Sequence, residues 1–424
     1  MPASPSTARA INDRLALSLL QSEGPLTAGQ LKQLTGLSRP SVADLVERLQ
    51  HGGLVTVVGE SGAQRRGPNA RLYGIVADYA HLAALDVRKQ SVSVIVSDLV
   101  GQVVAEASAP VTGDPGTAAA QAVALVERTA ERAGATALHS VGVGAPGLVD
   151  PSTGELRNGS GLPTWHHGLM TALQERLRAR VIVENETNLA ALAEQREGAA
   201  RDRDTFVLLW LSHGVGAAIV LDGALRRGAS GGAGEIGFLP VPGTDGLPSV
   251  HSCGGGFHDL AGSAAVVDLA TRYGMTATAV AHEPPAAAVV RAAVAGAPPA
   301  GPAALPGGAD AFLDALADRI AVGTAAVTAV LDPGCVVLGG EVGRAGGADL
   351  AARVGARIAA LTPLRTEVRP GELGGAAVLR GALFTARDAA QDELFSPQPV
   401  FDGARTLVRN AANVSRPTAR SGVR

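Results

Sequence analysis

Val181-Ile182-Val183-Glu184-Asn185-Glu186-Thr187-Asn188-Leu189-Ala190-Ala191-Leu192-Ala193-Glu194 carries three aliphatic residues straight into an alanine- and leucine-rich run. The first part reads as a short buried strand and the second as a helix starting near Thr187. Asn185 and Glu186 stand at the junction, where a short polar side chain can cap the first helical turn. A strand that feeds a helix without a loop is the unit of an α/β domain, and the pattern repeats on both sides. Upstream, His81–Val87, Ser91–Ser97 and Gly101–Ala105 read as strands, Thr117–Ala133 as a helix, Ser140–Gly144 as a buried strand and Leu169–Arg178 as a helix. Downstream, Thr205–Leu211, Gly216–Leu221, Ile236–Val241 and Cys335–Leu338 read as strands among long alanine-rich helices. This alternation predicts an α/β domain with mixed sheets over residues 79–394. The Ala/Pro/Gly-rich stretch 283–309 reads as a flexible insertion. Residues 395–424, with scattered arginines and no apolar period, read as a disordered tail.

The first eighty residues follow another pattern. Ile11, Leu15, Leu17, Leu19 and Leu20 recur at helical spacing, and Gly24-Pro25 ends that helix. Leu26–Thr35 reads as a second short helix capped by Thr27, with Leu31 and Leu34 facing inward. After the turn Gly36-Leu37, Ser38 caps a third helix with Pro40 in its first turn and Val42, Leu45, Val46 and Leu49 as its core stripe. Leu54–Val58 and Ala70–Val76 are strands on either side of a Gly- and Arg-rich tip. Helix, helix-turn-helix and two-stranded wing account for residues 8–77, a winged helix that would set its third helix in a DNA major groove. Arg39, Ser41 and Arg48 then face outward from that helix. Arg65, Arg66 and Arg71 lie on the wing, where arginines enter a minor groove or touch phosphates. The alternative is a winged helix used to bind protein.

Bulk properties narrow the rest. The 424 residues are 46% hydrophobic and 18% charged, enough for two or three folded domains. A net charge of -3 excludes a generic polyanion binder, so any nucleic-acid contact must be local. Cys253 and Cys335 are too far apart in sequence to suggest a disulfide framework, and together with the lack of a basic-then-apolar opening segment they point to a reducing cytoplasm. No apolar run approaches the ~20 residues of a membrane helix.

With these residues in view the chain resembles the ROK family of sugar-responsive repressors and sugar kinases, over about residues 8–390. Gly142–Asp150, Leu162-Pro163-Thr164-Trp165, Val183–Glu194 and, most specifically, Gly228-Ala229-Ser230-Gly231-Gly232-Ala233-Gly234-Glu235-Ile236-Gly237 carry the resemblance. It implies a two-lobed actin-like (ribonuclease H-like) domain with a sugar held between the lobes. Asn185 and Glu235 would bond sugar hydroxyls, and Glu186 stands where family kinases have the aspartate that removes the hydroxyl proton. The competing reading leaves Asn185 and Glu186 as helix caps.

Three departures shape the functional expectation. Family kinases place a glycine-rich turn after the first strand's aspartate, so that backbone amides can reach ATP phosphates. This chain has Asp86-Val87-Arg88-Lys89-Gln90-Ser91 there, without a glycine. Phe238 and Leu260 stand where the family has two polar sugar-contacting side chains. A structural zinc, which the family holds by a histidine and three cysteines, meets Phe238 at the histidine position. At the cysteine positions it meets His251, Cys253 and His258, the alternative being that these are ordinary loop residues. The resulting expectation is a cytoplasmic DNA-binding regulator of carbohydrate metabolism, a repressor with no catalytic residues. It would be a homodimer or homotetramer on a double-stranded operator, answering to a sugar effector, with no membrane partner. The rival is a ROK sugar kinase with a DNA-binding head, favoured by Glu186 and by the glycines of Ser212–Gly216 and Gly339-Gly340.

Overall fold

The computed structural model describes residues 5–61, 70–88, 91–112, 114–157, 165–249, 254–280, 283–301 and 305–395. The chain divides into two compact units, one built mainly from the N-terminal region up to Gly74 and one spanning Ile75–Ala390.

The smaller unit is set by caps and turns. Helix α1 (Pro5–Glu23) ends at Gly24, and the two-residue strand β1 (Leu26–Thr27) leads into α2 (Ala28–Thr35). Thr27 accepts from the Gln30 amide while the Gln30 side chain accepts from the Thr27 amide, a reciprocal box that satisfies two donors left over at the helix start. Gly36 closes α2 in the left-handed conformation (φ 70°) that glycine adopts without strain. Ser38 then caps α3 (Arg39–His51), whose Val42, Leu45, Val46 and Leu49 are buried with Ala16, Leu17, Leu20 and Leu31. Strands β2 (Val55–Ser61) and β3 (Ala70–Ile75) complete a three-stranded sheet of order β1-β3-β2. Leu34 departs from expectation: it is 50% exposed. It lies about 60° round the helix from Leu31, enough to leave the core of so short a helix.

The larger unit contains one topology twice. Its first half has β4 (His81–Val87), β5 (Ser91–Asp98) and β6 (Val103–Pro110), then α4 (Pro115–Arg132), β7 (Leu138–Ala145), α5 (Trp165–Leu177), β8 (Arg180–Asn185) and α6 (Glu186–Glu197). The second half has β9 (Phe206–Leu211), β10 (Val215–Leu221) and β11 (Ala224–Arg226), then α7 (His258–Ala261), α8 (Ser263–Arg272), α9 (Pro285–Val294) and α10 (Gly308–Leu331). It closes with β12 (Cys335–Gly339), α11 (Gly340–Leu361, broken at Gly347), β13 (Glu367–Pro370) and α12 (Ala377–Leu394). The sheets run β6-β5-β4-β7-β8 and β11-β10-β9-β12-β13, the same order in each half. In both, an antiparallel meander is extended by two parallel strands. This duplication is the two-lobed actin-like arrangement that the family resemblance implied.

Two expectations are corrected. Ile236–Val241 is not a strand: Ile236–Phe238 is a 3-10 turn whose amides are taken by Gly234 and Glu235 carbonyls, which leaves little for strand pairing. The stretch 283–309 is not simply a flexible insertion, because α9 lies within it and buries Ala286, Ala287, Val289, Val290 and Ala293 in the second half's core. Alanine is the best helix former, and proline in the first turn costs no hydrogen bond, so a low-complexity composition is also a helix signal. Of the expected tail, residues 396–424 lie outside the described residues, and Phe395 is buried.

The last helix returns to the first half and fixes the floor of the site. A methyl group on Gly142 of β7 would lie 2.1 Å from the Ala382 carbonyl oxygen of α12, and one on Gly381 of α12 would lie 2.0 Å from that of Leu189 in α6. Strand, helix and helix approach at backbone distance, which only glycine allows. Gly381→Ala should therefore lower the thermal midpoint, by roughly 1–3 kcal/mol of overpacking. The control Gly168→Ala, in α5 with open space around it, should leave the midpoint unchanged or raise it slightly.

Candidate functional site

The parallel pairing of β4 with β7 brings the end of the first sheet, at Asp86 and Gly144, to the gap between the halves. Asp86 is 4% exposed and Glu341, in the first turn of α11, is 5% exposed. Between these two buried carboxylates lies Arg88, the residue after β4. Its Nε donates to Asp86 Oδ2 at 2.9 Å, its Nη1 to Glu341 Oε1 at 2.6 Å and its Nη2 to the Gly375 carbonyl at 3.4 Å. Asp86 Oδ1 and Glu341 Oε2 are buried without a hydrogen-bond partner. Burial raises the Asp86 pKa, and Arg88 does not fully offset that. Burial also opposes the Glu341 charge, but Arg88 and the Ser212 hydroxyl overcome it and hold that carboxyl low. A cavity of about 650 Å³ opens beside the trio, with Ser91, Ser93, Arg291 and Arg344 on its walls.

The strand-to-helix junction supplies the other side of the site. Asn185 caps α6 by accepting from the Thr187 and Asn188 amides at 2.8 and 3.3 Å, and its Nδ2 donates to the Gly147 carbonyl at 2.9 Å. The capping reading therefore holds for Asn185, whose amide is spent within the chain. Glu186, the first residue of α6, makes no hydrogen bond with any described residue, and its pKa is raised from 4.5 to about 7. Burial is the main cause, and the charges of Asp86, Glu341 and Glu235 add to it against Arg88. Glu235 keeps an exposed side chain, and partial desolvation pushes its carboxyl up. Its loop is pressed onto the first half: a methyl on Gly231 (φ 81°) would lie 2.0 Å from the Val149 carbonyl oxygen.

Sequence reasoning missed three of these side chains. Glu341 follows Gly339-Gly340 but had no visible partner in sequence. Glu184, buried, accepts from Arg227 Nε at 2.6 Å and from Asn188 Nδ2 at 3.0 Å, which anchors the glycine-rich segment to β8. Arg88 stood out in sequence only as part of the glycine-free stretch after Asp86. Of the other expected turns, Ser212–Gly216 forms the tight β9–β10 hairpin, with the Ser212 amide donating to the Gly214 carbonyl.

On the winged helix, Arg39, Ser41 and Arg71 are exposed. Arg48 is engaged instead with Asp13 of α1, at 2.6 Å, and with Asp44. Arg65 and Arg66 lie outside the described residues, as do His251 and Cys253. His258 opens α7, and Phe238 at the expected fourth position is 40% exposed and cannot ligate. The described residues hold no group of three potential metal ligands, so by themselves they do not fit a zinc site.

Residues 82–389 match the ROK family, and with the duplicated sheets around the Glu186 and Glu235 carboxylates this decides the assignment. The chain belongs to the ROK family. Residues 11–67 match the MarR family, in keeping with the winged-helix order of the smaller unit. A xylose repressor from Caldicellulosiruptor bescii is 26% identical over 248 residues, 58% of this chain and 61% of that one. The chain thus spans about three fifths of that curated relative's length. The structure of a ROK family transcriptional regulator, a homolog of the E. coli MLC protein, superposes with a TM-score of 0.72 at 22% identity, covering 92% of this chain and 98% of that one. A ROK hexokinase from Thermus thermophilus is 26% identical with a TM-score of 0.57, over 74% of this chain and 99% of that one. Regulators and kinases thus share the ROK fold. Among the described residues no helix is long and apolar enough to cross a membrane.

The Glu186 carboxyl gives a pH signature. Because its folded pKa is raised, the folded chain keeps a proton that the unfolded chain releases, and stability falls as pH rises from about 4.5 to about 7. The loss is up to about 3 kcal/mol. Glu186→Gln should remove it, so that the stability gap in the variant's favour widens from pH 5 to pH 7 and then stays level. Denaturant unfolding across that range checks this, and a gap that does not change with pH would mean that Glu186 titrates as an ordinary surface carboxylate.

Proposed function

We propose that this ROK protein is a DNA-binding transcriptional regulator of carbohydrate metabolism, acting as a repressor, whose kinase-like domain senses a sugar or sugar derivative without phosphorylating it. The observation that carries the reading is Arg88, whose guanidinium joins Asp86 to Glu341 where family kinases have a phosphate-binding glycine turn. A charged side chain fixed there obstructs the close backbone approach that phosphates need. The relatives named as repressors, and the winged helix ahead of the ROK domain, support the regulatory half of the reading.

In this reading Arg39, Ser41 and Arg71, with Arg65 and Arg66 of the wing, contact DNA, and Arg48 braces α3 against α1 through Asp13. Two heads of a cytoplasmic homodimer or homotetramer would meet half-sites about one helical turn or a multiple apart. The sugar side of the cleft is built by Asn185, Glu186 and Glu235. Because the Asn185 amide is already spent on α6 and Gly147, the two glutamates are the free acceptors for effector hydroxyls. The effector differs from a typical hexose ligand of the family, because apolar Phe238 and Leu260 replace two polar contacts and leave fewer hydroxyls with partners.

A second reading, sugar kinase with a regulatory head, draws on one observation: a carboxylate with a pKa of about 7 at the start of α6 suits a general base at neutral pH. Two measurements separate the readings. A fragment of the protein's own upstream region should be shifted at low salt, and Arg39→Ala or Arg71→Ala should weaken that binding several-fold and lower its salt slope by roughly one charge each. ATP should not be consumed with any sugar in a panel of hexoses, pentoses and amino sugars. Sugar-dependent ATP consumption moves the kinase reading to the front, and no shift of any upstream fragment at low salt removes the DNA-binding one.

A further inference from the structure

A sugar hydroxyl has a hydrogen to donate and lone pairs to fill, so a site that holds it needs donors as well as acceptors. Glu186 and Glu235 offer acceptors, and the Asn185 amide is already spent on α6 and on the Gly147 carbonyl. Arg227, which leads from β11 into the glycine-rich loop, has donors to spare. Its Nε donates to Glu184 Oε2 at 2.6 Å, while Nη1 and Nη2 make no hydrogen bond with any described residue. The side chain is 46% exposed, against 7% for that of Glu184. Glu184 Oε1 accepts from the Asn185 amide and from Asn188 Nδ2, both at 3.0 Å, so the carboxylate is fully engaged without the two spare nitrogens.

The same contacts fix where these donors stand. Glu184 immediately precedes Asn185 and Glu186, so its bond to Nε puts a guanidinium from the second half beside the strand-to-helix junction of the first. The Ala233 amide donates to the Arg227 carbonyl at 3.1 Å, and the Ala217 amide to that of Gly234 at 2.8 Å. The loop is thereby closed at its neck, with Glu235 directly after it.

We propose that Arg227 is a specificity-determining residue of the effector site, anchored by Glu184 and donating through Nη1 and Nη2 to effector hydroxyl oxygens whose hydrogens go to Glu186 and Glu235. The inference rests on the sugar-sensing reading of this cleft. A guanidinium suits the role because its N–H groups form a fixed fork, so one edge can hold a carboxylate while another meets a ligand. The ligand class is a neutral, polyhydroxylated sugar. Glu184 already matches the charge of Arg227, and Glu186 and Glu235 are acids, so a phosphate or carboxylate on the sugar would bring a second anion to one cation.

Calorimetric titration and thermal unfolding of the full chain test this, with a panel of neutral hexoses and pentoses and their phosphate esters. A neutral sugar should bind the native chain, and its phosphate ester should bind roughly tenfold more weakly or worse. Arg227→Lys should keep a midpoint near the native one, because an ion pair with Glu184 survives. It should nevertheless bind the sugar roughly ten- to hundredfold more weakly, as expected for the loss of a charged donor. Arg227→Met should lose midpoint and affinity together, since Glu184 then stays buried without its cation. Arg227→Met/Glu184→Gln should recover the midpoint but not the affinity. A merely structural role would make affinity follow the midpoint, with Arg227→Lys restoring both. The proposal is overturned if Arg227→Lys or the double variant binds the sugar as the native chain does, or if the phosphate ester binds more tightly than its parent sugar. Should Arg227→Met fail to fold, Arg227→Lys and the double variant decide. If no sugar in the panel binds the native chain, the sugar-sensing reading has itself failed and this inference falls with it. Native binding with unchanged affinity in the variants removes this inference alone.

Discussion

A buried charge must find its opposite, and in this domain the demand is met across the gap between two halves of one fold. Asp86 lies on β4 of one half and Glu341 in the first turn of α11 of the other, yet each is almost fully enclosed, and Arg88 reaches both. An unpaired carboxylate in such surroundings would be strongly destabilising, so the position of α11 relative to β4 is tied to a single side chain. Glu186 is drawn into the same balance. Its raised pKa comes first from burial and then from the charges of Asp86, Glu341 and Glu235, which Arg88 only partly offsets.

Much of this was readable from the sequence wherever the interaction was local. Thr27 with Gln30, Ser38 with Ser41, and Asn185 with Thr187 and Asn188 are contacts within three residues, and the caps could be placed from residue type alone. Strand β4 was found to the residue, because a buried strand is an uninterrupted apolar run between polar boundaries. Leu34 and the Ile236–Val241 stretch failed for the opposite reason. In each, apolar character was taken for structure, while the short length of α2 and the turn hydrogen bonds around Gly234 and Glu235 decided the outcome. The α9 helix was hidden because alanine and proline serve helices and linkers alike.

The site itself was half legible. Residue types marked the glycine-rich loop and the Asn185-Glu186 junction, but not what each atom does. Asn185 had two readings, and the hydrogen bonds place its oxygen on the helix start and its nitrogen on Gly147. The loss of glycine after Asp86 was visible as an absence. What replaced it was not, because Glu341 stands 253 positions further along the chain and nothing in the local sequence pairs them.

The repeated strand order has a consequence for how such a molecule can change. Each half carries the same kind of hairpin at the same place, β4–β5 in one and β9–β10 in the other, and both bear on the Glu341 carboxyl, the first through the Arg88 ion pair and the second by helping to hold its pKa low through Ser212. A duplicated scaffold thus offers two equivalent corners on one target. One corner carries the charged side chain of Arg88, and its twin carries the glycines of the Ser212–Gly216 turn. A duplicated architecture can thus carry unlike side chains at equivalent corners while both sheets keep the same strand order.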